Sequence, residues 1–418
     1  MNRANLAVLL PALGIAQIVS WGSLFYSIAV LAEPLGAELH LSRVQVFAGF
    51  SVALAISGLL SPWSGRVVDM KGGRFVLCRG ALVGAVALVV LGSADRYAAV
   101  LFGWVIAGVA MSMTLYDPAF ATLAQLTGER YRRALTGLTL IAGFASTVFW
   151  PLTHALTRSY GWRGTLLIFA GLHLTIALPL IGSLVPKTGR PAQPAADSGR
   201  PVAQPVRTPR GQVWLATCFA LASFVFSSMS AHLVGVLQLK GLSTAEAVAL
   251  LSMVGPMQVT GRILEMTIGA RFPVWAVGCF AFALLAGALA LLFWTQGPGA
   301  LAWAFVVCYG CANGVITIVR GVLPAALFGH DHLGRLLGRL ARPSFVAQAI
   351  APTAVAALLL SGSAQLVLGV ACGAIAIALG CLMAAVRVAR QEFSTPQRRG
   401  AEDAKSAETD EVRNTPPQ

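Results

Sequence analysis

Charged residues are scarce in this 418-residue chain, where Asp, Glu, Lys and Arg make up 11% against 57% for hydrophobic residues. A soluble globular chain carries about 25% charged residues. The apolar residues form blocks such as FVLCRGALVGAVALVVLGSA and VWAVGCFAFALLAGALALLFW, which have the length that a helix needs to cross a bilayer. Because backbone polar groups in lipid must be satisfied internally, these blocks are predicted to be helices. The composition therefore excludes a soluble globular protein and predicts a polytopic membrane protein.

Several chemical signatures are missing as well. The seven cysteines lie scattered in apolar blocks, so they give no disulfide framework. The chain has no Gly-x-x-x-x-Gly-Lys-Ser/Thr loop, and its apolar blocks lack a clustered His/Asp or Ser/His set. We therefore expect no enzyme, no catalytic residues, no cofactor and no metal centre. The N-terminus lacks a small-residue cleavage site, so we interpret it as a retained first helix.

Twelve apolar segments fit membrane spans. They cover residues 6–33, 44–68, 75–94, 98–125, 135–157, 163–185, 212–238, 245–270, 274–295, 300–328, 337–361 and 363–388. The longest loop, 186–211, is rich in proline and basic residues and is predicted to be a flexible cytoplasmic linker. It divides a first six-helix bundle (1–185) from a second (212–388). The polar tail, 389–418, is predicted to be disordered and cytoplasmic.

The basic residues indicate how the chain is oriented. Its formal net charge is +14, and 23 of the 30 Lys and Arg residues fall in alternate loops and the termini, against five in the other loops. Cytoplasmic loops carry such an excess of Lys and Arg. We therefore expect both termini to be cytoplasmic. The basic charge is then explained by the membrane, so no nucleic acid is expected as a partner.

Two landmarks recur in the same order in both halves. LSRVQV at Leu41 and LSTAEA at Leu242 each predict a capping box at the start of a span. GRVVDM from Gly65 and GRILEM from Gly261 each close that span. The repeated order indicates an internal six-span duplication.

The loop after the second span carries a recognisable motif of a glycine, three residues, an aspartate, two residues, a glycine, then basic and aliphatic residues. The matching positions are Gly65, Asp69, Gly72, Arg74 and Leu77. Together with the twelve spans, the basic central loop and the repeat, this motif resembles the major facilitator superfamily of secondary transporters. Met70 and Gly73 depart from the family pattern, which has basic residues there. The resemblance implies an all-α membrane protein, with twelve transmembrane helices in two pseudo-symmetric six-helix bundles.

The resemblance also implies that this motif is a conformational latch. A carboxylate such as Asp69 at a helix end can meet an arginine or the positive N-terminus of a neighbouring helix. The alternative is that Asp69 only caps a tight turn. In the second copy, Arg262 and Glu265 are three residues apart on one helical face and can pair with each other. We interpret them as a structural or gating pair, with a substrate site as the alternative.

Spans one, four, seven and ten surround a central cavity in proteins that the chain resembles. Asp117 and Arg320 lie deep in spans four and ten, where ionisable side chains are costly and functional by default. Either Arg320 attracts an anionic group while Asp117 carries a proton, or the two pair across the cavity, or they only order the helices. The other polar candidates are Gln17, Trp21, Tyr26, Tyr116, His232, Asn313 and Thr317. Pro118 is expected to free a carbonyl one turn earlier and to kink span four.

The resemblance implies alternating-access transport of a small solute, proton-coupled or exchange-driven, by a monomer in the lipid bilayer of the bacterial inner membrane. YRRALTGLTLIAGF at Tyr131 is similar to monocarboxylate-type carriers, whereas other segments resemble arsenite-efflux carriers. The Arg-x-x-Gln-Gly and Gly-Pro signatures of drug–proton antiporters are absent. Cys308 and Cys311 could contact a metalloid, although helix packing is favoured. A drug or metalloid efflux carrier and a non-transporting membrane sensor of the same fold remain alternatives.

Overall fold

The computed structural model describes residues 3–187, 209–329, 331–359 and 363–413, and their regular secondary structure is helical. In the first half, the α-helices are α1 (Arg3–Trp21), α2 (Ile28–Glu38), α3 (Arg43–Lys71), α4 (Gly73–Gly92), α5 (Tyr97–Thr114), α6 (Tyr116–Thr127), α7 (Tyr131–Ala142), α8 (Ala145–Leu172) and α9 (Leu178–Leu184). Two π-helical turns, Gly22–Tyr26 and His173–Ala177, follow α1 and α8, and a short 3₁₀ turn, Gly128–Arg130, precedes α7.

The second half contains seven α-helices within the described residues. They are α10 (Pro209–Leu239), α11 (Thr244–Ser252), α12 (Val254–Thr267), α13 (Val274–Trp294), α14 (Ala300–Phe328), α15 (Leu333–Leu359) and α16 (Ala364–Arg413). A short 3₁₀ turn, Gly269–Arg271, follows α12.

The sixteen helices form twelve spans, because several spans are interrupted. Span one is α1, its π turn and α2; span four is α5 with α6; span eight is α11 with α12. Span five is α7 with the first part of α8, and span six is the rest of α8 with α9. The chain turns between these two spans at Gly161, whose φ of 67° is a left-handed conformation that glycine adopts readily. Each remaining span is a single helix.

Length and apolar composition alone single out fewer segments than twelve. Eight described helical segments are long and apolar enough to cross a membrane, and one of them, Tyr97–Leu184, contains spans four to six. Spans eight and eleven are not among the eight. The break at Met253 shortens the helices of span eight, and α15 carries three arginines in its first turns. Both spans contact the other half of the molecule, as described below.

Two predicted boundaries differ from the structure. The linker 186–211 lies largely outside the described residues, but α10 already begins at Pro209. The tail from 389 was predicted to be disordered, but α16 continues through it as far as Arg413. The alanine, glutamate, lysine and arginine residues of this segment have high helix propensity, which the polar composition alone did not reveal.

Both predicted capping boxes are confirmed. The Ser42 hydroxyl accepts a hydrogen bond from the Gln45 backbone N–H at 3.3 Å, and the Gln45 side chain accepts one from the Ser42 N–H at 2.9 Å. Ser243 and Glu246 repeat this arrangement at the start of α11. These reciprocal bonds satisfy amides that a helix start leaves free.

The two halves pack against each other at the end of the molecule that carries the turns at Gly72 and Gly269–Arg271, which we call the latch end. Here α3 lies along α15, and α7 contacts α12 and α14. A Cβ added at Gly65 would overlap the Gly334 carbonyl, and one added at Gly338 would overlap the Ser61 carbonyl. Glycine at these positions therefore allows the two backbones to touch.

Candidate functional site

Asp117 and Arg320 form an ion pair between the two halves. Asp117 lies in the first turn of α6 and Arg320 in α14, and Oδ2 and Nη2 are 3.7 Å apart. Their side chains are 13% and 25% exposed. Direct charge-assisted hydrogen bonds measure about 2.7–2.9 Å, so this pair is loose enough for another group to compete for Arg320. The sequence left open whether the two residues meet, and the structure brings them together.

The helix break before Asp117 follows from Pro118. Proline has no N–H, so the carbonyl of Thr114, four residues earlier, loses its helical partner. The backbone leaves the helical conformation at Leu115, with ψ at −164°. The amide Nε2 of Gln17 donates to the freed Thr114 carbonyl at 2.6 Å. The predicted kink in span four is therefore present, and Gln17 from span one holds it.

Aromatic side chains form a wall beside the ion pair. The Trp21 ring lies 4.8 Å from that of Tyr116, which stacks on Phe120 at 5.0 Å. Tyr26 is 6.1 Å from Trp21 and 6.1 Å from Trp150. We call Trp21, Tyr26, Tyr116 and Trp150 the aromatic wall. The π turn Gly22–Tyr26 shifts the helical register of span one just where these rings begin.

Arg262 does not pair with Glu265, which corrects the local pairing expected from their spacing. Its Nη1 donates to the Thr139 carbonyl at 3.0 Å, and its Nε is buried without a hydrogen-bond partner. Arg262 is only 5% exposed. Among the described residues, no carboxylate lies within 4.0 Å of its guanidinium. The group is also within electrostatic range of the Tyr26 and Tyr116 phenols.

Glu265 instead bonds to the other half. Its Oε1 lies 2.7 Å from Nη2 of Arg132, and its Oε2 accepts from the Thr136 hydroxyl at 3.0 Å. Arg132 also donates to the carbonyls of Gly269 and Phe272, at 2.6 and 2.8 Å. Glu265 favours this long-range pairing because α7 offers two donors, Arg132 and Thr136. Arg132 also satisfies carbonyls that are left free where α12 ends.

Asp69 forms a second connection between the halves at the latch end. Its two carboxylate oxygens accept hydrogen bonds from the backbone N–H groups of Gly334 and Arg335, at 2.9 and 2.8 Å. These N–H groups belong to the first turn of α15, where the helix dipole favours a negative charge. Gly72 ends α3 with a φ of 82°, and the half-buried Arg74 follows in the first turn of α4.

The remaining predicted residues make local or packing bonds. The Asn313 side chain donates to the Tyr309 carbonyl and Thr317 to the Asn313 carbonyl, each one turn back on α14. His232 bonds the Pro352 carbonyl at 2.8 Å. They lie on spans ten and seven, but these bonds do not connect them to the ion pair.

Of the two cysteines of span ten, Cys311 lies where α12 packs against α14. Cys308 and Cys311 are unbridged, and a Cβ added at Gly261 would overlap the Cys311 backbone, so α12 and α14 are in close contact there. In the part of the chain that the structure describes, no three or more His, Cys, Asp or Glu side chains are grouped to hold a metal ion.

Sequence reasoning missed Arg132, Thr136, Thr139 and Trp150. Their positions gave no signal by themselves, since Arg132 is one of several basic residues in a loop and the two threonines look like ordinary helix residues. The internal repeat was the one usable signal, because it indicated that GRVVDM and GRILEM lie at equivalent helix ends.

Comparison with curated proteins gives distant relatives. The chain is 28% identical to the agnestins efflux protein AgnL12 of Paecilomyces divaricatus over 66% of this chain and 62% of that protein. It is 29% identical to the multidrug resistance protein MdtL of Escherichia coli O9:H4 (strain HS) over 39% of this chain and 41% of that protein. The chain thus matches less than two thirds of the length of either relative.

Solved structures share the fold. The human organic anion transporter MFSD10 (TETRAN) matches with a TM-score of 0.72 at 15% identity, covering 91% of this chain and all of that one. The transporter FucP in its outward conformation matches with a TM-score of 0.71 at 12% identity, covering 91% and 99%. The family model described as Major Facilitator Superfamily matches residues 13–338. The chain therefore belongs to the major facilitator superfamily, a family of multi-pass membrane transporters rather than enzymes.

Proposed function

We propose that this transporter carries a small organic anion, which binds between Arg262, Arg320 and the aromatic wall. The observation that carries the proposal is the buried Arg262 guanidinium with no carboxylate partner among the described residues. With Arg320 and Asp117, the site holds two positive charges and one negative charge. One bound anion would neutralise it.

The energies support an anionic ligand. An arginine inside a membrane costs about 2.5–3.5 kcal/mol on insertion scales, so a partner is expected. Two opposite unit charges about 4 Å apart interact by about 4 kcal/mol at an effective dielectric constant of about 20. An anion beside Arg262 would offset the cost, and the aromatic wall would cover the apolar part of the same ligand.

The contacts at the latch end support transport by alternating access. The hydrogen bonds from α15 to Asp69 and the ion pair between Arg132 and Glu265 hold the halves together there. Both contacts must break before that end can open. Protonation of Asp117 would release Arg320 for the anion, which gives a route to proton coupling. Exchange of one anion for another needs no such step.

We further propose that the latch end faces the cytoplasm, with both termini on that side of a bacterial inner membrane. The excess of basic residues in the loops at that end supports this orientation. We also propose a monomeric transporter, with six-helix bundles at 1–185 and 212–388. The similarity of Tyr131 onward to monocarboxylate-type carriers agrees with an anionic substrate.

Efflux is a second possibility for the direction of transport, because AgnL12 is named an efflux protein and MdtL a multidrug resistance protein. An arsenite carrier would depend on Cys308 and Cys311. A chain with both cysteines replaced by serine that keeps full arsenite tolerance would exclude that substrate.

The proposal is tested with the purified chain in lipid vesicles. Binding of benzoate, measured by calorimetry, and its uptake are compared with those of the neutral analogue benzamide. Arg262→Gln is expected to weaken benzoate binding at least tenfold, because the buried positive charge is lost. Arg96→Gln is the matched control, since the Arg96 side chain is 79% exposed and lies in the turn just before α5.

A folded Arg262→Gln protein, confirmed by its elution profile and helical circular dichroism, that binds benzoate as tightly as the wild type would refute the anion site. Equal binding of benzoate and benzamide to the wild type would refute it as well.

A further inference from the structure

Two polar atoms of span one are buried without a hydrogen-bond partner among the described residues. They are Oε1 of Gln17, an acceptor, and Nε1 of Trp21, a donor. The two residues are four positions apart on α1, so their side chains lie on the same helical face. The acceptor of one and the donor of the other therefore belong to the same face of α1.

The orientation of the Gln17 amide is fixed by its other bond. The Thr114 carbonyl can only accept, so the atom 2.6 Å from it must be the donating nitrogen. The free atom is then the oxygen. Gln17 is also only 1% exposed, so bulk water does not satisfy this oxygen.

Leaving a buried polar atom unsatisfied costs about 1–3 kcal/mol, and folded proteins leave few of them. A hydroxyl group can satisfy both atoms, because it donates one hydrogen and accepts on its lone pairs. Its hydrogen would go to Oε1 of Gln17, and its oxygen would accept from Nε1 of Trp21.

The same face borders the anion site. The Trp21 ring contacts Tyr116 at 4.8 Å and Tyr26 at 6.1 Å. Arg262 lies within electrostatic range of both phenols, and its Nε is a third buried atom without a partner. An acceptor, a donor and a cation thus lie near one set of aromatic rings.

We propose that Gln17 and Trp21 form a subsite for a hydroxyl group, and that the substrate is a hydroxylated aromatic carboxylate. The carboxylate binds Arg262, the ring lies against the aromatic wall, and the hydroxyl bridges Gln17 and Trp21. This assignment rests on the proposed function, since it specifies the anion that the same site takes.

The test must separate the two roles of Gln17. In Pro118→Ala, the new N–H at position 118 can bond to the Thr114 carbonyl, so the helix no longer depends on Gln17. Gln17→Met in this background then removes only the hydroxyl acceptor. Binding of benzoate and 4-hydroxybenzoate to the full chain in vesicles is measured by calorimetry for the wild type and both variants.

We expect the wild type and Pro118→Ala to bind 4-hydroxybenzoate at least tenfold more tightly than benzoate. In the double variant this ratio is expected to fall below threefold, because the hydroxyl group has lost its acceptor. Trp21→Phe is expected to reduce the ratio in the same way, because phenylalanine keeps the ring contact but has no N–H.

Equal affinity of the wild type for both compounds, with binding still dependent on Arg262, would overturn the hydroxyl subsite and leave the anion proposal standing. A preference for 4-hydroxybenzoate that survives Gln17→Met in the Pro118→Ala background would also overturn it. If Arg262→Gln keeps full affinity for both compounds and still prefers the hydroxylated one, the anion proposal fails while the subsite remains.

Discussion

Replacing Asp69 with asparagine tests how strongly the latch end is held closed. Asp69 accepts two backbone hydrogen bonds from the first turn of α15, at 2.9 and 2.8 Å. Asparagine has nearly the same shape, but it loses the charge and turns one acceptor oxygen into an NH₂ group that would face an N–H donor. The substitution therefore weakens this contact without creating a cavity.

The expected loss follows from the geometry. A hydrogen bond to a charged group contributes about 1.5–3 kcal/mol, and a negative charge at a helix N-terminus about 0.3–1 kcal/mol. Asparagine keeps one acceptor, so we expect the closed state to lose about 2–3 kcal/mol. At about 1.4 kcal/mol per factor of ten, the ratio of open to closed molecules rises by about 30- to 140-fold.

The assay is the rate at which a thiol reagent labels a cysteine placed at Ser61, followed on the peptide by mass spectrometry. Ser61 is 3% exposed, and its carbonyl lies against Gly338 of the other half, so the reagent reaches this position only when the latch end opens. Asp69→Asn should raise the labelling rate and slow turnover, with little change in the KM for substrate. Turnover falls because every transport cycle must pass through the closed state.

Met70→Gln is the matched control, because Met70 is the next residue and its side chain is exposed. It should label and transport as the parent does. A labelling rate in Asp69→Asn equal to that of the control, or a higher KM at unchanged turnover, would show that Asp69 only caps a turn.

Two further predictions concern the same end of the molecule. Glu265 and Arg132 are each replaced with Gln, alone and together. Their effects on thermal unfolding should show a coupling energy of about 0.5–3 kcal/mol, because the two charged groups are 2.7 Å apart. Additive effects would contradict their direct interaction. Gly65→Ala should lower the unfolding temperature and impair closure, because its Cβ would overlap the Gly334 carbonyl. Gly287→Ala, which has no heavy atom within 4 Å of the added Cβ, should be tolerated, and equal behaviour of the two variants would contradict the close backbone contact.

The apolar blocks predicted most of the fold, because bilayer thickness fixes how long a spanning helix must be. The interruptions were harder. Pro118 correctly predicted the break between α5 and α6, since the loss of an N–H is a property of the residue itself. The break at Met253 lies three residues before Pro256, as the break at Leu115 lies three residues before Pro118, whereas the π turn at Gly22–Tyr26 has no comparable residue signal.

The sequence identified the charged residues of the candidate site, but only some of the groups that they contact. Asp117 and Arg320 were found because an ionisable residue within an apolar block is visible in the sequence. Gln17 was predicted as a substrate contact, and its amide nitrogen holds a helix break. The sequence could not show this, because the Thr114 carbonyl lies 97 residues away along the chain.

The second copy of the repeated segment, GRILEM from Gly261, shows what the sequence alone could not predict. By itself the sequence determined that Arg262 and Glu265 share a helical face near a helix end, since helical periodicity is local. Only the tertiary structure decided that Glu265 bonds Arg132 and that Arg262 has no carboxylate partner among the described residues. Electrostatic energy depends on distance in space, and packing of the two halves places Nη2 of Arg132 only 2.7 Å from Oε1 of Glu265.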